Sequence, residues 1–482
     1  MKTALFFLCA LACAAPARAY DIDSLVKELA ARPGIRNASW GVSVKDAATG
    51  KVIVERDAQK NLAPASILKI FVTAAAFDLL GPEHKVKTGI YYDGSVSNGF
   101  LNGNLYIKGA GDPSLGSQFI KGARSADETF RLWAEGIKAK GIKVITGAVV
   151  GDESAFESMQ PGSWAWEDIG NYYAARASAL TISDNLYKLY FKPGLNPGDE
   201  TKVLRTEPYL PELKFDNHVL TGPKGSGDNG YIYAFPGQYE ADLRGTVGQG
   251  PEEFPIKGAL PDPALFAAQS FGGFLTRSGI NANKKPYSTD AAPAGRLELV
   301  TETEGSPLAD IARATNKRSF NLYAELLLRQ LAVSKGLKGT GPDGIKVLTE
   351  FLAAQGVDTS EMKIVDASGL SRADLVKPAN FTDLLTAVSQ KKYFEAFRDT
   401  LVFPADPEAS GHIRRLGKDG LLAAGLRIKS GSITGVRSYT GYLKTKKGRT
   451  LAFTFILNNY SAESADIDKL HEVLLLKLAE NY

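Results

Sequence analysis

The sequence predicts an α/β protein: one mixed domain closed by its two ends and interrupted by a large, mainly β and α+β insertion. Three observations lead there. Strand-like alternation stands near both ends of the chain. Strongly apolar helix patterns lie between those ends. From Lys85 to about Leu275 the character changes to short strands with frequent turns, among them Asp93-Gly94, Asn98-Gly99, Asn196-Pro197-Gly198 and Asp228-Asn229-Gly230.

Taken in order, residues 1–19 read as a signal peptide. Lys2 supplies the charge, Ala4 to Ala15 the apolar run, and Ala17-Arg18-Ala19 a cleavage site. Ser24 to Ala31 has a helical pattern. Trp40 to Val44 and Lys51 to Glu55 alternate as two strands about Ala48-Thr49-Gly50. Pro64-Ala65 leads into an apolar helix from Ser66 to Leu80, stopped by Gly81-Pro82. Within the insertion, Asn104 to Lys108, a helix near Asp127 to Lys140, and Val144 to Val150 form a β-α-β pattern. Leu186 to Phe191 and Tyr231 to Ala234 are strand-like.

Helices return at Leu308 to Ala314, Phe320 to Ala332, Gly344 to Gln355 and Asn380 to Gln390. A hairpin follows, Tyr439 to Thr445 and Thr450 to Asn458, turning at Lys447-Gly448. The last helix, from Ala465, has Ile467, Leu470, Val473, Leu474 and Leu478 on its apolar side. Its charges are mostly acidic, so it is expected to pack on the core rather than lie on a membrane. The expected boundaries are 20–85 with 285–482 for the main domain and 86–284 for the insertion. The insertion is read as two subdomains, with the βαβ unit at about 100–160.

Composition removes several classes of function. The net charge is only +4 and no basic run accompanies it, which argues against a nucleic-acid partner. Both cysteines fall in the leader, so the mature chain offers no disulfide, thiolate metal site or cysteine nucleophile. No other stretch is apolar and long enough to cross a bilayer as a helix. There are four histidines, with neither an H-E-x-x-H pair nor a G-x-S-x-G elbow; His84, His218, His412 and His471 read as surface or structural.

Three short patterns carry chemistry: S-x-x-K, S-x-N and K-[S/T]-G. Each occurs more than once, and context chooses between the copies. Ser66-Ile67-Leu68-Lys69 opens a buried-looking helix, with Lys69 one turn after Ser66 on the same face. An apolar setting depresses a lysine pKa, so a neutral amine can take the serine proton. The bland reading, a helix cap and a solvated charge, fits poorly among Ile67, Leu68, Ile70, Phe71 and Val72. Ser24-x-x-Lys27 sits on a polar helix instead. Ser319-Phe320-Asn321 falls between two helices, where both side chains can enter a cleft; Ser183-Asp184-Asn185 reads as a turn before a strand. Lys429-Ser430-Gly431 precedes the final hairpin, and its glycine allows close approach of a substrate backbone. Lys87-Thr88-Gly89 starts the insertion and is disfavoured.

This ordered set resembles the penicillin-recognising serine enzymes. The separation of about 250 residues between Ser66 and Ser319 is similar to that of the D-alanyl-D-alanine carboxypeptidase/endopeptidase family, the class C low-molecular-mass penicillin-binding proteins. Gly111-Asp112-Pro113-Ser114-Leu115, Gly151-Asp152-Glu153-Ser154-Ala155-Phe156, Trp164-Ala165-Trp166-Glu167-Asp168, Asp228-Asn229-Gly230-Tyr231-Ile232-Tyr233 and Ser368-Gly369-Leu370-Ser371-Arg372 also look like that family. One departure is Ser430, where threonine is usual; the hydroxyl is kept.

The resemblance implies a penicillin-binding transpeptidase/β-lactamase-like fold, an antiparallel sheet with helices. It also implies cleavage of D-Ala-D-Ala ends and of D-Ala to meso-diaminopimelate cross-links in peptidoglycan, with β-lactams acylating the same serine. Ser66 would be the nucleophile, Lys69 its base, Ser319 a proton relay and Asn321 a substrate holder. Lys429 and Ser430 would hold the terminal carboxylate. Gly431 and Ser432 would line the strand edge, with the Ser432 N–H in the oxyanion hole. Asp168, Tyr173, Leu370, Arg372 and Thr434 would form the diaminopimelate pocket. No cofactor or metal is implied. Together with the leader, the resemblance implies a periplasmic location. Two other readings stay open: a β-lactamase or esterase on the same fold, marked by prompt penicillin turnover, and a non-catalytic cell-wall binding protein, marked by failure to label with penicillin.

Overall fold

The computed structural model describes residues 21–408, 413–417 and 420–482. The expected leader, both cysteines and His412 lie outside the described residues. The two chain ends share one antiparallel sheet in the order Leu426–Ile433, Val436–Lys444, Thr450–Asn458, Ser39–Asp46, Val52–Arg56. Thr450–Asn458 and Ser39–Asp46 are buried on both faces. Helices cover both sides of the sheet, which explains apolar side chains at both strand parities.

On one face, the first helix, Ile22–Ala30, and the last, Ser464–Asn481, bury Val26, Leu29, Leu470, Leu474 and Leu478. Val473, expected among them, is exposed, and Leu475 is buried in its place. On the other face lies the larger core. Its centre is the helix Lys69–Leu79, buried all round from Lys69 to Phe77 and packed by Leu308–Lys317, Asn321–Ser334, Gly341–Ala354 and Pro378–Val388.

The helix expected from Ser66 to Leu80 begins differently. Ala65–Leu68 forms a 3-10 turn, and the α-helix starts only at Lys69. The cause is local: Ala65 adopts a left-handed backbone, φ 51°, so the chain enters through a tight turn.

The inserted region contains four sheets among the described residues. Leu105–Lys108 and Val149–Asp152 pair in parallel, and Ala126–Ala139 is the helix between them in the sequence, the expected β-α-β pattern. The strand expected at Val144 to Val150 is two strands in two sheets, Val144–Ile145 and Val149–Asp152. Gly147 breaks the run, passing so close to the Gly103 carbonyl that a Cβ would lie 2.4 Å from it. Tyr287–Thr289 and Glu298–Glu304 pair with Val149–Asp152 and Lys87–Tyr92. Strand pairing thus ties two segments that follow the boundary expected at 285 to a sheet of the inserted region. A separate small core unites Leu186–Lys192, Phe254–Ala259 and Glu240–Gly248 through Leu189, Ile256, Leu243 and Val247.

Candidate active site

Ser66 occupies the 3-10 turn, and Lys69 is the first residue of the α-helix behind it. Three residues of helical chain bring Lys69 Nζ to 2.9 Å from Ser66 Oγ. Lys69 is fully buried. Burial pulls its pKa from 10.5 down to about 7, against the opposing charges of Asp366 and Glu325. The amine also donates to Asn321 Oδ1 and to the Ser368 carbonyl, both at 2.6 Å. A neutral amine has two hydrogens and one lone pair. With two carbonyl acceptors taking the hydrogens, the lone pair is left for the Ser66 hydroxyl.

Ser319 lies between the helices Leu308–Lys317 and Asn321–Ser334, with left-handed backbone, φ 58°. That conformation is uncommon for serine and concentrates at functional sites. Here it lets two residues of one turn serve two lysines. Ser319 Oγ accepts from Lys429 Nζ at 2.8 Å, while Asn321 meets Lys69. Lys429 is buried, and burial, then the charge of Lys69, holds its pKa well below normal.

Lys429, Ser430, Gly431 and Ser432 lie on Leu426–Ile433, the edge strand of the main sheet. A Cβ on Gly431 would stand 2.8 Å from Ser66 N and 2.9 Å from the Pro64 carbonyl. Glycine thus lets the strand pass against the Ser66 turn. Val402 bridges this edge at Ile428; further along, Ser432 on the strand and Thr434 in the turn after it are exposed, and such an edge can accept an extended peptide by main-chain pairing.

The insertion reaches this cluster through a strap. Asn321 Nδ2 donates to the Tyr173 carbonyl at 2.7 Å. Asp168 is half-buried beside the Tyr173 hydroxyl; burial raises its pKa, and interaction with that hydroxyl, then the charge of Arg372, opposes the rise. Leu370 and Arg372 lie in the same 366–374 loop that supplies the Ser368 carbonyl to Lys69. Trp164 is buried against the same loop: its indole donates to Asp366 at 2.7 Å. Trp166 packs its exposed ring on Tyr233.

The structure thus bonds Ser66, Lys69, Asn321 and the Ser368 carbonyl into one set, with Ser319 and Lys429 as a second pair beside the same turn. The other copies of the patterns go elsewhere. Ser24 bonds Asp21 on an exposed helix end. Asn185 closes on the Ile182 N–H and the Arg176 carbonyl. Lys87 pairs with Glu302 on a strand. An open cavity of about 860 Å³ near Glu153, Arg176 and Thr340 is lined by none of the residues in the Lys69 and Lys429 sets, so size does not locate the chemistry.

Sequence reasoning missed the groups behind Lys69: the Ser368 carbonyl, Glu325 and Asp366. Glu325 was legible in principle as an acid inside the apolar run from Leu322 to Leu328. A main-chain carbonyl leaves no signature in the residue letters.

A family model described as D-Ala-D-Ala carboxypeptidase 3 (S13) matches residues 22–477. A D-alanyl-D-alanine carboxypeptidase of an Actinomadura species is 26% identical over 95% of this chain and 84% of its own length. The crystal structure of penicillin binding protein 4 from Haemophilus influenzae superposes with a TM-score of 0.80 at 22% identity, covering 96% of this chain and all of the other. The same protein in complex with a β-lactam gives 0.75 at 21%, covering 95% and 99%. No helix among the described residues is long and apolar enough to cross a membrane. The chain belongs to the D-Ala-D-Ala carboxypeptidase 3 (S13) family and is a serine peptidase with a penicillin-binding-protein fold.

Proposed function

We propose that the chain is an exported, periplasmic DD-peptidase of peptidoglycan. It removes terminal D-Ala from D-Ala-D-Ala stems and cuts D-Ala to meso-diaminopimelate cross-links through a Ser66 acyl-enzyme. The observation that carries this is the buried Lys69 amine, bonded to Ser66 Oγ at 2.9 Å with its pKa lowered to about 7.

In this reading Ser66 Oγ attacks the penultimate D-Ala carbonyl and its proton passes to Lys69. The N–H groups of Ser66 and Ser432 hold the oxyanion, a contribution of about 3 kcal/mol for a donor of this kind. Ser319, bonded to Lys429, passes a proton to the leaving amine, and Asn321 orients the substrate amide. The terminal carboxylate lies on Lys429 and Ser430, with the chain along Gly431 and Ser432. Water then releases the acyl group. A β-lactam acylates Ser66 by the same first step; the Haemophilus influenzae protein of this fold forms a complex with one.

Endopeptidase action rests on the second cluster. A partly desolvated Asp168 carboxylate suits the side-chain ammonium of diaminopimelate, and the Arg372 guanidinium its carboxylate. Tyr173 and Leu370 would flank the methylenes, with Thr434 adding a hydroxyl at the strand end.

Purified cross-linked muropeptides test the reading by mass spectrometry of the products. Release of D-Ala and monomers separated at the D-Ala to diaminopimelate bond are expected. Intact muropeptides, or prompt hydrolysis of penicillin without a lasting adduct, would overturn it.

A further inference from the structure

Both acceptors that orient the Lys69 amine trace back to one helix, Asn321–Ser334. Asn321 provides the first directly. The second, the Ser368 carbonyl, belongs to a loop with no regular secondary structure. Such a segment needs something to fix the direction of its peptide groups. One turn after Asn321, Glu325 does so: its Oε1 accepts from Ala367 N at 2.9 Å and Ser368 N at 3.0 Å. Glu325 is 2% exposed, and its other oxygen faces Arg329, one further turn along.

The loop is clamped from two more sides. Asp366 accepts from Gly369 N at 2.6 Å, Ser371 N at 2.8 Å and the Trp164 indole. Gly369 has φ 74°, and a Cβ there would lie 1.9 Å from the Ala65 carbonyl. The loop is therefore seated directly on the turn that carries Ser66. Its Ser368 peptide is the point at which a buried acid, a backbone carbonyl and the base meet in series.

We propose that Glu325 is a positioning residue for the general base: by gripping the Ala367 and Ser368 N–H groups it aims the Ser368 carbonyl at Lys69, which turns the amine's lone pair onto Ser66. The inference rests on the reading of Ser66 and Lys69 as nucleophile and base. Glu325 touches no reacting atom. Its effect is confined to the rate of the acylation step and does not extend to the affinity that precedes it. What matters is the reach of its oxygen, more than its charge, because the grip is a pair of hydrogen bonds to amides.

Two variants separate reach from charge. Glu325→Gln keeps an acceptor oxygen at full reach and loses the charge; Glu325→Asp keeps the charge and falls one methylene short. Stopped-flow acylation of the full chain by a fluorescent penicillin gives the rate constant and the prior binding constant separately. Adduct stoichiometry restricts both to correctly folded molecules. Glu325→Asp is expected to lower the acylation rate constant about tenfold to a hundredfold, the scale of a small misplacement of a catalytic group. Its binding constant should stay within about threefold, and Glu325→Gln should lose no more than about threefold in rate. Equal losses in the two variants, no loss in either, a loss only in Gln, or a loss carried by the binding constant would each overturn the proposal. Wild-type protein that takes up penicillin without modification at Ser66 would sink the underlying reading as well. A normal Ser66 adduct with the wrong variant pattern would sink this inference alone.

Discussion

Two serine–x–asparagine turns in this molecule share letters and local shape but differ in what their polar atoms do. Ser183-Asp184-Asn185 and Ser319-Phe320-Asn321 both begin with a left-handed serine, φ 48° and 58°. In the insertion, Asn185 satisfies itself on nearby chain, and Asp184 accepts from Gln118 N and from the Tyr323 hydroxyl. Between the helices, Phe320 takes the middle place and stacks on Tyr323 at 4.6 Å, leaving Ser319 and Asn321 to two buried lysines. The first turn therefore fastens the insertion to the helix that the second turn begins. One turn bonds neighbouring chain and the other two buried lysines, and under the proposed function that difference in partners makes the second turn the chemical one.

The largest effect is expected at the nucleophile. Ser66→Ala should abolish covalent penicillin labelling in a protein with an unchanged circular dichroism spectrum. An adduct on Ser24, or one that persists in the variant, would end the assignment. Lys69→Met should slow acylation by roughly a hundredfold to ten-thousandfold, the usual worth of a general base, while Lys27→Met should leave it unchanged; equal effects would mean that the wrong pair was chosen.

The two asparagines test the contrast between the turns directly. Asn321→Ala should lower acylation at least about tenfold, since Lys69 loses an acceptor that fixes it. Asn185→Ala should leave the rate per folded molecule alone and instead cost about 1–3 kcal/mol in denaturant unfolding, by stranding a buried N–H and carbonyl. Reversed phenotypes would exchange the roles of the turns.

The pH profile tests whether the Lys69 site is as dry as its geometry implies. Lys69 titrates at about 7, so acylation should fall below that pH by about tenfold per unit as the amine gains a proton, and level off above it. A limb near the ordinary lysine value would show a solvated amine. The smallest expected effect belongs to the strap. Asp168→Ala should reduce the rate on a diaminopimelate peptide about tenfold, as loss of one buried charge partner does, and scarcely change it on an acyl-D-Ala-D-Ala peptide lacking that amine. Equal losses on both would make Asp168 structural.

Much of this was legible in the residues because it is local. Alternation, apolar runs and glycine turns mark Trp40 to Val44, Thr450 to Asn458 and the helix after Ser66, since those patterns depend on backbone period and burial alone. The i, i+3 spacing of Ser66 and Lys69 fixes their meeting once a helix or tight turn forms. Where neighbours decide, the letters fell short. Val144 to Val150 has the composition of one strand, yet Gly147 lets it serve two sheets. Val473 fits the apolar stripe of the last helix, yet the core stops short of it. Tyr287–Thr289 and Glu298–Glu304 carry no mark of the sheet they join, because pairing partners are set by non-local contacts.

The residues alone carry the chemistry on offer: a serine with a lysine three positions on at the head of an apolar run, two further polar patterns in a fixed order, and no H-E-x-x-H pair or G-x-S-x-G elbow to compete. Only the tertiary structure decided which copy of each pattern meets which. It brought Asn321 and Lys429 to the Ser66 turn, closed Asn185 on its own neighbours, and set a loop carbonyl behind Lys69 by way of Glu325. The reason is physical. A hydrogen bond needs its atoms within about 3 Å and aligned, and for residues far apart in the chain only the packed core fixes distances that finely.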